Sequence, residues 1–326
     1  MKQSQLIGNR HIVSSFVASV KEGRVASAYL IEGPAGSGKR TLAELLAALL
    51  VCTNVGEEGA CLACRDCENV LCGSHPDVCR LLPEKEQASI SVDVVRRANE
   101  IAMSAPIHAV RRVFIVENAA QMNAAAQNAL LKNLEEPRSS SVYLLLCEEA
   151  AGVLATIRSR CVTYRMELLS ETVQCEFLRR HFPKEREEDL ALAARLSGGV
   201  LGQAMDFFSN KKSAEVRRRA TEYLSLICKN APFDAFCALV PADTKKDFLP
   251  LFYRILLSGV RDLLCAEESA KRSFFAPEEL LVCKKSKPEL LLICERLCDL
   301  MDPAMANANV AASLYSLHAV AASKKS

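Results

Sequence analysis

Apolar residues fall into two regimes along the chain. Over the first half, short runs of consecutive apolar residues alternate with stretches whose apolar positions recur every three or four residues. The first pattern marks strands buried on both faces, and the second marks helices laid on a core. Apolar runs at 26–31, 78–82, 113–116 and 142–147 predict strands. Helices are predicted over 5–25, where Ile12, Phe16 and Val20 lie four apart, and over 39–50. A further helix starts at Ser91-Val92-Asp93 with Asp93 as its cap, and another covers 124–136 and is ended by Pro137. This alternation reaches about residue 165 and predicts a parallel sheet covered on both faces. From Ser170 the strand-type runs stop. Helical periodicity broken by Pro and Gly predicts helices at 171–181, 185–196, 201–208, 214–229, 246–266, 288–301 and 304–322. The chain therefore divides into an α/β domain at 1–166, a small helical domain at 167–210 and a second helical domain at 211–326.

Between the first strand and the helix at 39–50 stands Gly33-Pro34-Ala35-Gly36-Ser37-Gly38-Lys39. Its glycines let the backbone adopt positive φ and turn successive N–H groups toward a polyphosphate, while Lys39 adds a point charge at the start of a helix whose dipole favours anions. Gly33, Gly36, Ser37, Gly38, Lys39, Arg40 and Thr41 are thus the candidate nucleotide-binding residues. One position departs from the motif. The residue after the lysine is ordinarily Ser or Thr and holds Mg²⁺; here it is Arg40, with Thr41 one place late. After the strand at 113–116, where P-loop NTPases carry an Asp for Mg²⁺ and a Glu to activate water, the chain has Glu117 and Asn118. An amide in the second place cannot accept the proton of an attacking water.

Cysteine usage changes the picture again. The chain has 15 cysteines, an odd and scattered set that suits reduced core residues in an uncharged role. Cys52, Cys61, Cys64 and Cys67 form an exception: gaps of eight, two and two residues in a polar, Gly-containing stretch suit four thiolates around one structural, tetrahedral Zn²⁺. Cys72, His75 and Cys79 just downstream are alternative ligands. At 50% apolar and 25% charged residues the composition is that of a soluble globular protein, and a net charge of +2 excludes neither nucleic-acid nor protein partners. No apolar run reaches the length of a membrane span, and the first residues lack the apolar core of a signal peptide, so no membrane partner and a cytoplasmic location are expected.

Taken together, these residues resemble the bacterial clamp-loader ATPases of DNA polymerase III. The resemblance rests on Leu6-Ile7-Gly8, the loop at 33–39, the four spaced cysteines and His75-Pro76-Asp77. It rests further on Ala129-Leu130-Leu131-Lys132-Asn133-Leu134-Glu135-Glu136-Pro137 and on Ser159-Arg160-Cys161. It is specific over residues 5–165 and thinner beyond, where Leu196-Ser197-Gly198-Gly199 and an all-helical ending carry it.

The resemblance implies an AAA+ P-loop sheet with a small zinc-binding insertion, a helical lid at 167–210 and a helical collar at 211–326. It implies a ring built with gamma/tau and delta subunits, which opens a sliding clamp and places it on primed DNA. It also implies that Arg160 acts as an arginine finger in trans, and that Arg96 faces DNA. Catalytic gamma/tau members carry Lys-Ser/Thr in the loop, Asp-Glu after the second strand, a polar sensor after the third and an Arg on the lid. This chain has Lys39-Arg40, Glu117-Asn118, Cys147 and Gln203 there. The expectation is a largely non-catalytic ring subunit in which ATP is bound without being hydrolysed. Two alternatives remain: an active gamma/tau-like or other P-loop ATPase using Thr41 and Glu117 for the metal, and a zinc-bearing nucleic-acid module with Arg96, Arg97, Arg111 and Arg112 as its footprint. The absence of Trp and the few Tyr disfavour base stacking by the latter.

Overall fold

The computed structural model describes residues 6–83, 89–136, 140–209, 211–264, 283–301 and 309–323. Two compact units emerge. Residues up to Leu169, with Val200–Gly202, form the first, and Ser170–Gly199 with the chain from Gln203 onward forms the second.

In the first unit five strands, β1 (Ala28–Glu32), β2 (Val78–Leu81), β3 (Arg112–Val116), β4 (Ser141–Cys147) and β5 (Val162–Arg165), make one parallel sheet in the order β2-β3-β4-β1-β5. Period-two alternation sorts their side chains. Tyr29, Ile31, Val113, Ile115, Val142 and Leu144 pack with helices α1 (Arg10–Lys21) and α2 (Lys39–Val51). On the opposite face Leu30, Phe114, Val116, Tyr143 and Leu145 pack with α4 (Val92–Ala102) and α5 (Ala124–Glu135). Between these lie two short helices, α3 (Arg65–Leu71) after the cysteines and α6 (Ala155–Arg158) before β5. The expected parallel AAA+ P-loop sheet is therefore present.

Three local expectations change. The cap of α4 is Ser91, whose Oγ accepts from the Val94 amide at 3.4 Å, whereas Asp93 lies inside the first turn and pairs with Arg96. The lead-in helix is shorter than 5–25, because Gly8 and Asn9 take positive φ (71° and 53°) and cannot extend it. Asn9 is used instead to clamp the chain: its Oδ1 accepts from the Glu167 amide at 2.7 Å and its Nδ2 donates to the Glu167 carbonyl at 3.3 Å. Strand β5 was not marked by its own apolar run, since it is four residues long at a sheet edge and mostly exposed.

The regular structure of the second unit is helical among the described residues: α7 (Glu171–His181), α8 (Glu187–Leu196), α9 (Leu201–Ser209) from Gln203 onward, α10 (Lys211–Cys228), α11 (Phe233–Leu239), α12 (Leu249–Leu264), α13 (Lys287–Met301) and α14 (Val310–Ala322). One apolar core joins Leu178, Leu190, Phe207, Tyr223, Phe236, Phe252, Ile293 and Leu317. The Tyr223 hydroxyl lies 2.9 Å from His318 Nδ1, and His318 Nε2 lies 3.1 Å from the Val240 carbonyl, so this buried pair is satisfied. The outer parts of the helices predicted over 246–266 and 304–322 reach residues outside the described ones, as does Pro137. No helix among the described residues is long and apolar enough to cross a membrane.

Candidate nucleotide site and metal centre

The phosphate loop leaves the carboxyl end of β1 and turns directly into α2. Gly33 donates its amide to the Cys147 carbonyl at 3.2 Å, fixing the loop to β4. Gly36 and Gly38 have φ of 83° and 92°, values that side chains with a Cβ rarely adopt, so these two serve the geometry that the sequence assigned them; Gly33 does not take positive φ and is instead required by close packing, since a Cβ there would meet Met166 Cβ at 2.8 Å. Ser37 Oγ is buried and has no hydrogen-bond partner among the described residues. Lys39 Nζ folds back on the loop and donates to the Gly33 and Pro34 carbonyls at 2.5 and 2.9 Å. Burial pulls its ammonium below the usual value, with the nearby Glu148 carboxylate acting against that shift. Gly202, a member of the same unit, donates its amide to the Gly36 carbonyl at 3.0 Å, and a Cβ there would meet Gly36 Cα at 2.8 Å.

The metal-ligand positions hold an ion-pair cluster. Arg40 Nε lies 3.4 Å from Glu44 Oε1 and 3.4 Å from Glu117 Oε1. Arg80, from the middle of β2, places Nη2 2.8 Å from Glu44 Oε1 and Nη1 3.6 Å from Glu117 Oε1. Two guanidiniums thus neutralise two carboxylates beside the loop. Thr41 lies half-buried one residue further along α2. Asn118 adopts φ 56° and ψ 53° at the start of a short 3₁₀ turn, a left-handed conformation that Asn tolerates better than most residues. Cys147 is buried at the end of β4, and burial pushes its thiol up to about 11.

Arg80 and Glu44 were not singled out in the sequence, yet each left a signal. Glu44 is a charged residue on a helix that is otherwise buried and apolar from Leu42 to Val51, and Arg80 interrupts the strand Val78-Cys79-Arg80-Leu81. A charge placed inside a buried element requires a partner.

The cysteine cluster forms as expected. Sγ atoms of Cys52, Cys61, Cys64 and Cys67 lie within 4.8 Å of one another, with Cys52 to Cys61 at 3.5 Å and Cys61 to Cys67 at 4.0 Å. Tetrahedral zinc with sulfurs at about 2.3 Å needs sulfur–sulfur separations of about 3.8 Å, so the residues fit that ion. The sulfurs also accept backbone hydrogen bonds: Cys52 from Asn54 and Cys61, Cys61 from Cys64, and Cys64 from Cys67, at 3.3 to 3.4 Å. Such N–H···S contacts hold thiolate charge, as the outer shell of a metal site must. At Cys64 burial opposes ionisation, but amide hydrogen bonds from Cys67 and Thr53 outweigh it and bring the thiol to about 6. Burial raises Cys67 and Cys52. All four donors are protein sulfurs and no open coordination position remains, which suits a structural role.

The three alternative ligands stand apart. His75 Nδ1 accepts from the Asp77 amide at 3.0 Å while Nε2 lies 3.5 Å from Asp66, Cys79 belongs to β2, and Cys72 is exposed. His75-Pro76-Asp77 instead forms a buried anchor. The Asp77 carboxylate accepts from the amides of Ile107, His108 and Ala109 at 2.7, 2.7 and 3.0 Å and lies 3.4 Å from Arg112 Nη2. Arg112 also donates to the carbonyls of Ile101, Ser104 and Ala105. Burial works against the Asp77 charge, but the three amides and Arg112 prevail and hold its carboxyl below the ordinary range.

Arg160 follows α6 on the surface. Its Nη2 lies 3.0 Å from Glu135 Oε1 on α5 and its Nη1 donates to the Thr156 carbonyl at 3.0 Å, so the helix containing Leu130-Leu131-Lys132 also seats this arginine. Arg96 is exposed on α4 and pairs with Asp93 at 3.4 Å. In the helical unit, Gln203 Oε1 accepts from Arg254 at 3.4 Å.

A phosphate loop between strand and helix in a parallel sheet ordered β2-β3-β4-β1-β5 defines a P-loop protein of AAA+ type. The chain belongs to the family described as DNA polymerase III, delta subunit, whose model matches residues 8–170, half of its length. It is similar to DNA polymerase III subunit delta' of Pseudomonas aeruginosa, with 42% identity over 174 residues, 53% of each chain. It is also similar to subunit delta' of Escherichia coli, with 34% identity over 209 residues, 64% of this chain and 62% of that one. The chain thus spans little more than half the length of the curated relatives it matches. Among solved structures it is similar to a gamma subunit-related protein of DNA polymerase III from Thermotoga maritima, at 18% identity and TM-score 0.48, over 96% of this chain and 98% of that one.

Proposed function

We propose that this chain is a largely non-catalytic ring subunit of a DNA polymerase III clamp loader, of the delta' kind. It would work in the cytoplasm with gamma/tau and delta subunits to place a sliding clamp on primed DNA. The observation that carries this reading is the Arg40–Glu117 ion pair: a guanidinium stands 3.4 Å from the carboxylate in the position where the clamp-loader resemblance expects a metal ion. Asn118 next to it has no proton-accepting function to offer. Nucleotide is bound, since the amides of the loop and Lys39 are in place, but it is not turned over.

In this reading Cys52, Cys61, Cys64 and Cys67 hold one structural Zn²⁺, which when bound cross-links the end of α2 to the loop and α3. Residues 167–210 act as the lid and 211–326 as the collar joining neighbouring subunits. Arg160, seated by Glu135, reaches ATP held by a neighbouring gamma/tau subunit, and Arg96 contributes one phosphate contact to DNA in the ring. Co-purification with gamma/tau and delta subunits of the same organism, sized by light scattering, is the test. A stable multi-subunit assembly is expected; a chain that stays monomeric with both present overturns the assignment.

A further inference from the structure

The residues beside the phosphate loop do not fit the Mg²⁺ ion that P-loop hydrolases use. A divalent cation needs oxygen ligands and a surplus of negative charge. Here the hydroxyl ligand is replaced by Arg40, both carboxylates are already neutralised, and the side chains of Glu44, Arg80 and Glu117 are 9%, 16% and 17% exposed, so they cannot be rearranged freely. A cation in that place would sit against two guanidiniums.

We propose that the loop binds the polyphosphate of a nucleoside di- or triphosphate free of divalent metal, with Arg40 supplying the positive charge. This rests on the nucleotide-binding reading above and specifies the species bound. Arg40 suits the task by position and by what it leaves open. It follows Lys39 in the first turn of α2, its side chain is 61% exposed, and it touches both carboxylates through Nε. Its one side-chain hydrogen bond among the described residues is made by Nε, to Glu44, which leaves the Nη groups without one, and a planar guanidinium forks onto phosphate oxygens as an ammonium cannot. Arg80 contributes indirectly, because by sharing Glu44 and Glu117 it keeps those carboxylates from capturing Arg40 completely or repelling phosphate. The partnerless Ser37 Oγ in the same loop is a second group with hydrogen-bonding capacity for an anion. A nucleotide arriving with Mg²⁺ on its terminal phosphates carries two charges fewer and presses a dication toward Arg40.

Isothermal titration of the full chain with ADP and with ATP, in EDTA and in excess MgCl₂, tests this. Binding in EDTA is expected to be at least as tight as in Mg²⁺, with excess Mg²⁺ weakening it by up to about tenfold. Arg40→Ser should weaken binding in EDTA about tenfold or more and abolish the penalty from Mg²⁺, whereas Arg40→Lys should recover part of the metal-free affinity. Circular dichroism confirms that the variants are folded, and electron paramagnetic resonance with Mn²⁺ and ADP should show no manganese signal beyond that of Mn²⁺ with nucleotide alone. Nucleotide binding by the wild type that requires Mg²⁺, or metal-free binding that Arg40→Ser leaves unchanged, overturns this proposal while leaving nucleotide binding intact. Binding in neither medium overturns both.

Discussion

Asp77→Ala should destabilise the α/β unit without touching the phosphate loop or the cysteines. Asp77 is fully buried and Arg112 is 3% exposed, so the substitution leaves a buried guanidinium with only neutral partners, the carbonyls of Ile101, Ser104 and Ala105 and the Ser104 hydroxyl. Removing one partner of a buried ion pair costs about 3–5 kcal/mol. The amides of Ile107, His108 and Ala109 also lose their acceptor, but Ile107 and His108 are exposed, and water can replace the carboxylate at that end. A net loss of about 4 kcal/mol follows, a roughly thousandfold change in an opening equilibrium. The chain has two units and no Trp, so a unit-specific probe is needed. Hydrogen exchange by mass spectrometry on the peptide covering Val113–Val116 supplies it: these amides should exchange about a thousandfold faster, with the peptides of α12 unchanged. The carboxyl's depressed native pKa gives the pH dependence its sign. The unfolded chain binds the proton more readily, so Asp77's contribution is complete above about pH 4 and is lost as the pH falls through its native value; Asp77→Ala should flatten that part of the acid profile. Exchange at Val113–Val116 within tenfold of the wild type would refute the anchoring role.

Protein purified without chelator under reducing conditions should contain one equivalent of zinc, and its removal should release protection around Cys52–Cys67 while the sheet persists; elemental analysis finding none would remove the metal assignment. ATP turnover by the isolated chain should be negligible, and Asn118→Glu alone should not restore it, because Arg40 still fills the ligand position; a phosphate-release assay showing robust turnover that Lys39→Ala abolishes would contradict this. In an assembled loader, Arg160→Ala should leave assembly and zinc content unchanged but lower clamp-stimulated ATPase by about one site's share, since arginine fingers contribute roughly 10³- to 10⁵-fold at the site they serve. Wild-type rates in such rings would show that Arg160 serves only its local contacts, with Glu135 and the Thr156 carbonyl among them.

The sequence was most informative where one residue type has few physical uses. Glycines at 36 and 38 and a lysine at 39 implied a phosphate loop before any contact was known, and cysteines at fixed spacing implied a common centre. It was least informative where a role depends on chain segments far apart. Nothing local to Arg80 says that its partners lie on α2 and after β3, 36 residues from Glu44. Nothing in His75-Pro76-Asp77 says that its carboxylate holds a loop some 30 residues on. Short elements escaped for a different reason: α3 and α11 have seven residues each, about two turns, too few for an apolar period to repeat.

Helix α2 works as a ruler with marks at both ends. Its first residues follow directly on the phosphate loop, Arg40 sits in its first turn and Glu44 one turn further on, and Cys52 follows its last residue. Its 13 residues set these marks about 20 Å apart, and because neighbouring positions differ by about 100° in direction, they also set the angle between them. One residue added or removed between Glu44 and Cys52 would swing the cysteine away from its three partners or the glutamate away from Arg80. The length of this helix is therefore constrained more tightly than any single apolar side chain along it, since Leu can be exchanged for Met at small cost but a change of phase cannot be repacked.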